Sequence, residues 1–189
     1  MTYEIRALGV ADADEYRRIR LESLRLHPEA FGADHDESAA LNRAQFAERM
    51  ATPGLTRFGG FDGSHLVGLA GLQIRSGAKE KHKAHLFSMY VDRAHRRTGL
   101  AEQLVGAVIA GAREAGAVVL HLSVTVGNAP AQLLYRRLGF AVYGVERRSL
   151  LVDGVFLDEE LMELNLDSDP APVRSPATTD GSAASSSGR

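Results

Sequence analysis

Hydrophobic and polar positions in this chain follow two alternating periods. Thr2 to Leu8 reads as a short strand, and from Ala11 to Leu26 the apolar Tyr16, Ile19, Leu24 and Leu26 lie among charges, as on an amphipathic helix that ends before Pro28. A second helix is predicted from Ala39 to Met50, stopped by Thr52-Pro53-Gly54. Arg57 to Phe61 and His65 to Arg75 form a hairpin pattern about Asp62-Gly63, and Ala84 to Val91 is a further strand. Gly99 to Ala115 is the clearest helix: Leu100, Leu104 and Val108 recur at helical spacing beside Val105 and Ile109, and Gly116 sits where a C-terminal cap belongs. Val118 to Val126 is β-branched and apolar, the pattern of a buried strand. Asn128 to Leu138 reads as a short helix with Asn128 as N-cap, Pro130 in its first turn and Gly139 at its end. Two last strands, Ala141 to Leu151 and Val155 to Leu164, are joined through Asp153-Gly154. The order βααβββαβαββ is a mixed α/β arrangement without internal repeats.

The pattern stops at about Asp167, after which Ser, Ala, Pro, Asp and Thr dominate to Arg189. Such a segment buries too little apolar surface to offset its ordering entropy, so 1–166 is expected to be one domain and 167–189 a disordered tail. At 189 residues and 44% apolar content the chain is long enough for one sizeable core. A net charge of −2 with interspersed signs gives no electrostatic footprint for nucleic acid. With no cysteine, thiolate nucleophiles, disulfides and thiolate metal sites are excluded. The start, Met1-Thr2-Tyr3-Glu4-Ile5-Arg6, has no apolar signal region, and no stretch reaches the roughly 18 apolar residues of a membrane helix. A soluble cytoplasmic protein is the expectation.

Between the strand ending at Val91 and the helix from Gly99 lies Asp92-Arg93-Ala94-His95-Arg96-Arg97-Thr98-Gly99-Leu100-Ala101. A helix N-terminus presents unpaired N–H groups and partial positive charge, so this junction suits an anion. Gly99 allows close backbone approach, Ala101 is small, and Arg96 and Arg97 add charge. The loop has neither the Gly-x-x-x-x-Gly-Lys-[Ser/Thr] phosphate-binding pattern nor the Gly-x-Gly-x-x-Gly dinucleotide pattern.

Arg96-x-x-Gly99-x-Ala101 resembles the Gln/Arg-x-x-Gly-x-Gly/Ala motif of the GCN5-related N-acetyltransferase (GNAT) superfamily. The preceding Leu86-Phe87-Ser88-Met89-Tyr90-Val91-Asp92 looks like that family's fourth strand. Asn128-Ala129-Pro130-Ala131-Gln132-Leu133-Leu134-Tyr135-Arg136-Arg137-Leu138-Gly139-Phe140 is similar to its second signature, Asn-x-x-Ala-x-x-x-Tyr-x-x-x-Gly-Phe. The resemblance spans about residues 3 to 166 and is strongest over 84 to 140. It implies a GNAT fold, a mixed and mostly antiparallel twisted sheet of about seven strands flanked by four helices. It also implies acetyl-CoA as co-substrate, with no metal. Main-chain groups of Met89 and Val91 would meet the pantetheine arm, a main-chain N–H near Met89 or Tyr90 the oxyanion, and the loop Arg96-Arg97-Thr98-Gly99-Leu100-Ala101 the pyrophosphate, with Asn128 completing the cofactor site.

Tyr135 is the candidate donor to the leaving sulfur, since Asn128 and Tyr135 stand almost two helical turns apart and share a face. A phenol pKa of about 10 against about 8.5 for a thiol makes full proton transfer uphill by roughly 2 kcal/mol, so hydrogen-bond donation is the alternative to it. Some relatives carry a glutamate base at the place of His85, others at that of Ser123, and neither glutamate is present here. His85 shares strand parity with Phe87, Met89 and Val91, which makes it a candidate base; His121, of matching parity with Ser123 on the neighbouring strand, is another, and a water chain a third. His82, His85 and His95 lack metal-ligand spacing and any carboxylate. Arg147-Arg148 reads as a solvated strand face. The acceptor is expected near His27-Pro28-Glu29-Ala30-Phe31-Gly32 and the Asp153-Gly154 turn, where Glu22, Glu29, Asp34, Asp36 and Glu37 would attract a cationic amine. The resulting expectation is an N-acetyltransferase acting on a primary amine of a small molecule or peptide, with a homodimer possible. The rival reading is a non-catalytic acyl-CoA-binding or regulatory domain.

Overall fold

A computed structural model describes residues 2–167; the expected tail therefore lies outside the described residues, Asp167 apart. Seven strands form one sheet in the order β1-β2-β3-β4-β5-β7-β6. They are β1 (Glu4–Ala7), β2 (Leu55–Asp62), β3 (His65–Ile74), β4 (Lys83–Val91), β5 (Val119–Thr125), β6 (Ala141–Val152) and β7 (Val155–Asn165). Every neighbouring pair is antiparallel except β4 and β5. The helices are α1 (Ala13–Leu26), α2 (His35–Ala39), α3 (Arg43–Met50), α4 (Leu100–Glu114) and α5 (Ala129–Arg137).

Four helices were expected and five are present among the described residues: the helix predicted from Ala39 to Met50 begins only at Arg43, and a short helix, α2, precedes it. Asn42 is the N-cap of α3: its side chain accepts from Gln45 N, and Gln45 Oε1 accepts from Asn42 N at 2.9 Å. This reciprocal cap satisfies donors that a continuous helix would otherwise own, so α3 begins afresh. On α1, Tyr16, Ile19 and Leu24 are buried as expected, whereas Leu26 is 50% exposed at the helix end.

The larger core lies on the sheet face that carries α4 and α5. Leu100, Leu104, Val105, Val108 and Ala112 of α4 are all fully buried, each side chain of that size contributing about 1.5–3 kcal/mol. The helix can approach closely because β2 and β3 present glycines to it: a Cβ at Gly68 would lie 2.9 Å from Leu104 Cδ1. A smaller cluster on the opposite face joins Tyr16 and Ile19 of α1, Phe46 and Met50 of α3, and Leu66, Leu69 and Tyr90 of the sheet. β5, expected to be buried, is so on one face: Leu120, Leu122 and Val124 enter the larger core while His121 and Ser123 face outward. Among the described residues no helix is long and apolar enough to cross a membrane.

Turn chemistry follows the residues that permit it. Asp153 and Gly154 both have positive φ, 49° and 79°, and join β6 to β7 as a tight two-residue turn. The first hairpin turns one residue later than expected, on Gly63-Ser64, with Asp62 paired to His65.

Candidate functional site

β4 and β5 pair only from Lys83–Val119 to His85–His121. Beyond that point they diverge, and the gap is a cleft of about 100 Å³. Phe87, Ser88 and Met89 line it from β4, Ser123 and Thr125 from β5, and Asn128 and Tyr135 from α5. Parallel strands that separate leave main-chain N–H and C=O groups facing the gap, ready for an extended amide-bearing ligand.

A β-bulge deforms β4 beside this gap. Ser88 has φ of 54°, and the pairing with β3 skips between Leu69 and Gly71. The extra residue reverses the alternation: His85 and Phe87 lie on the α1 face, whereas Met89 and Val91 pack against the α4 core. The expected shared parity of His85 with Met89 and Val91 therefore fails, and it fails through the bulge. Tyr90 turns to the α1 side, where its hydroxyl donates to Glu22 Oε1 at 2.9 Å. Burial first, then Glu22, pushes that phenol up to about 12.

At the cleft's other end the anion loop has the expected backbone. Gly99 is the N-cap of α4, with φ of 85° and no side chain to satisfy the first N–H groups. A Cβ there would meet nothing nearer than Gln103 Nε2 at 3.9 Å, so the space above it is open. Leu100 is fully buried and fixes the helix start on the sheet. Ala101 packs beside it. Arg97 is exposed with φ of 63°. Thr98 Oγ1 donates to His95 O at 2.6 Å and accepts from Tyr3 OH at 3.1 Å, which makes it part of the loop's frame. Arg96 is also occupied: Nε donates to Val91 O at 3.0 Å, and Nη2 lies 2.9 Å from His27 Nε2. Its guanidinium braces the loop against β4 and the end of α1.

Tyr135 and Asn128, predicted to share a face, both reach the cleft. Asn128 Oδ1 caps α5, accepting from Ala131 N at 3.4 Å. Tyr135 is 5% exposed, packs edge-on to Phe140 at 5.7 Å, and has a phenol raised by burial. Its hydroxyl has no hydrogen-bond partner among the described residues.

A second cavity, of about 300 Å³, adjoins the first, Ser123 lining both. His85, His121, Arg75, Lys83 and Glu146 face it. Burial lowers the His85 pKa, and the charges of Arg75 and His121 add to the effect. His121 is lowered by burial too, opposed by Glu163 at 3.7 Å. Ser123 stands where some relatives carry a glutamate, and the structure supplies a carboxylate there from another strand. Glu159 of β7 accepts from Ser123 Oγ at 3.1 Å and from Ser149 Oγ at 2.7 Å. Sequence reasoning missed Glu159 because only cross-strand register brings it there. Phe87 was given no role, and Phe31 was named only within the stretch His27 to Gly32 expected to meet the acceptor, although both line the cleft. Among the described residues no group of acidic and histidine side chains could hold a metal ion.

Comparison with known proteins gives the family and the fold. Residues 13–140 match the model of the acetyltransferase (GNAT) family. The chain is 40% identical over 88 residues to L-methionine sulfoximine/L-methionine sulfone acetyltransferases of Pseudomonas paraeruginosa and Pseudomonas aeruginosa, over 47% of this chain and 49% of each relative. The match thus spans about half the length of those relatives. A Salmonella typhimurium protein solved with its cofactor acetyl-CoA superposes with a TM-score of 0.74 at 26% identity, covering 92% of this chain and 99% of that one. A GNAT-family acetyltransferase from Streptococcus pneumoniae shares the fold at 22% identity, with a TM-score of 0.76 over 87% of this chain and 99% of the other.

Proposed function

The chain belongs to the acetyltransferase (GNAT) family, and we propose that it moves an acetyl group from acetyl-CoA to a primary amine by direct attack in a ternary complex. The observation that carries this reading is the cleft between β4 and β5, with Tyr135 and Asn128 on its wall and the open N-terminus of α4 beyond it. The donor supplies the thioester carbonyl. The N–H groups from Arg97 to Ala101 hold its pyrophosphate, Arg96 keeps that loop braced, and main-chain groups of Met89 and Val91 align the arm. A main-chain N–H near Met89 or Tyr90, beside the bulge, stabilises the oxyanion.

Tyr135 faces the departing sulfur. Because burial raises its pKa, it stays protonated through the neutral range, and donation of a hydrogen bond is favoured over transfer of the proton. His85 is held neutral and so is able to take a proton from the amine, with the Glu159 carboxylate nearby to favour the cation that forms. The reading also includes a cytoplasmic setting and a homodimer. For the latter, the support is the edge strand β6 and its hairpin, which leave Leu151, Val155 and Phe156 more than half exposed.

The test is release of free CoA from acetyl-CoA on addition of an amine panel, comparing wild type with Tyr135→Phe. Turnover with a drop in kcat of roughly 100-fold in the variant supports the reading. Tight CoA binding without turnover of any amine favours a binding module instead.

A further inference from the structure

Several arginines of this fold have carboxylate partners: Arg6 with Asp12, Arg18 with Glu15, Arg43 with Asp14, Arg136 with Glu160, Arg137 with Glu102. Two on the α1 side of the sheet combine the lack of such a partner with an orphaned donor. Arg20 of α1 and Arg57 of β2 each bury Nη1 fully without a hydrogen-bond partner. Arg57 Nε donates to Tyr16 OH at 3.0 Å, and no carboxylate among the described residues pairs with either guanidinium. Each lies in the other's field, since Arg57 is among the charges that act on Arg20. A guanidinium donor buried without a partner is costly to the folded chain, and the like charge nearby adds to that cost at Arg20.

Their position relates them to the cleft. The Arg20 guanidinium carbon is 4.8 Å from the Phe31 ring centre, and that of Arg57 is 5.9 Å from the Phe87 ring centre. Both rings line the cleft between β4 and β5, so each arginine stands one aromatic ring away from it. Gly71 makes this possible, because the Phe87 ring fills the space its Cβ would need. In the larger cavity, by contrast, Lys83 already has a carboxylate, Glu80, at 3.7 Å.

We propose that Arg20 and Arg57 form an anion subsite for the acceptor. The preferred acceptor is then an amine that also bears a carboxylate or similarly compact anion, with an apolar segment lying against Phe31 and Phe87. This rests on the acetyl-transfer reading above. A carboxylate brought between the two guanidiniums supplies both orphaned donors and separates the like charges, an interaction stronger than that of neutral hydrogen bonds.

The experiment compares apolar α- and ω-amino acids with their neutral carboxamides as acceptors at saturating acetyl-CoA. A charge-assisted hydrogen bond corresponds to on the order of 10- to 100-fold in affinity, so at least one acid is expected to exceed its carboxamide by that factor in kcat/KM. Arg57→Gln and Arg20→Gln should each remove most of that preference, chiefly through KM, and Arg57→Lys should restore part of it. Equal use of acids and carboxamides by wild type overturns the subsite while leaving acetyl transfer intact, and this arm decides even if a variant fails to fold. Arginines with a purely structural role would behave otherwise, their loss lowering the melting temperature and depressing acids and carboxamides alike; that result also overturns the proposal. Should no amine be acetylated, the acetyl-transfer reading fails, and melting of the CoA-bound protein reads the subsite alone. A rise with an amino acid and not its carboxamide, lost in Arg57→Gln, sustains the subsite, and no rise overturns it.

Discussion

The two faces of the sheet are built on different physics. Under α4 the contact is apolar throughout, with Leu100, Leu104, Val105 and Val108 fully buried and glycines cut into the strands to receive them. Under α1 the core is smaller and mixed with charge: Arg20 and Arg57 have no carboxylate partner and each buries an unpaired Nη1, and His85 and His121 face an open cavity. The first face holds the helix whose N-terminus is proposed to receive the donor, a part that must be rigid to hold an anion on main-chain groups. The second carries the side chains proposed to choose the acceptor, and it keeps polar groups unsatisfied where a partner would enter. On this reading close packing would serve the constant half of the reaction, and frustrated polarity the variable half.

The comparison is most exposed at Gly99. Gly99→Glu places a carboxylate where the pyrophosphate would sit, and the loss of even two charge-assisted hydrogen bonds corresponds to a weakening of roughly 100-fold or more. Calorimetric titration with CoA checks this, and unchanged affinity sinks the placement; the open space around Gly99 predicts that the domain still folds. Next, Leu104→Ala should cost about 2–5 kcal/mol of stability by opening a cavity under α4. Arg20→Met on the other face should cost far less, because it removes an unpaired buried charge. Denaturant titration of both variants gives the contrast, and equal losses would erase the distinction between the faces.

A smaller effect is expected at Gly71→Ala, where the new methyl displaces the Phe87 ring at a cost of about 1–3 kcal/mol. Acceptor KM should rise while CoA affinity stays nearly constant; a loss of CoA binding would mean that the ring serves the donor side. The smallest effect concerns pH. The folded His85 pKa lies below its unfolded value of about 6.5, so the full contribution to stability is present above that pH. As pH falls below it the unfolded chain takes up the proton first, and stability declines until the folded pKa is passed. Melting temperatures at pH 7.5 and 5.5 should therefore fall less steeply in His85→Gln than in wild type. An unchanged slope would show that His85 is not held neutral.

Local signals made much of this legible in the sequence. Gly99, Gly116 and Gly139 all adopt the positive φ that their positions at helix ends suggested. Asp153-Gly154 makes its turn, and Asn128 caps α5 while sharing the cleft with Tyr135. The start of α3 is also written locally, as Asn42-x-x-Gln45, inside the helix predicted from Ala39. The bulge at Ser88 was not legible, since serine carries no demand for φ of 54°. That single residue inverts which side chains of β4 face which helix, and with it the argument from parity.

By itself, then, the sequence determined the elements, their order and the two motifs, because periodicity, caps and turns act over a few neighbouring residues. Only the tertiary structure decided where β4 and β5 part, that Glu159 stands beside Ser123, and that Arg20 and Arg57 each bury a donor with no carboxylate paired to it. Those facts depend on register between strands and on how a helix lies across a sheet. Such contacts join residues 36 apart in the chain, as in Ser123–Glu159, and no local pattern encodes them.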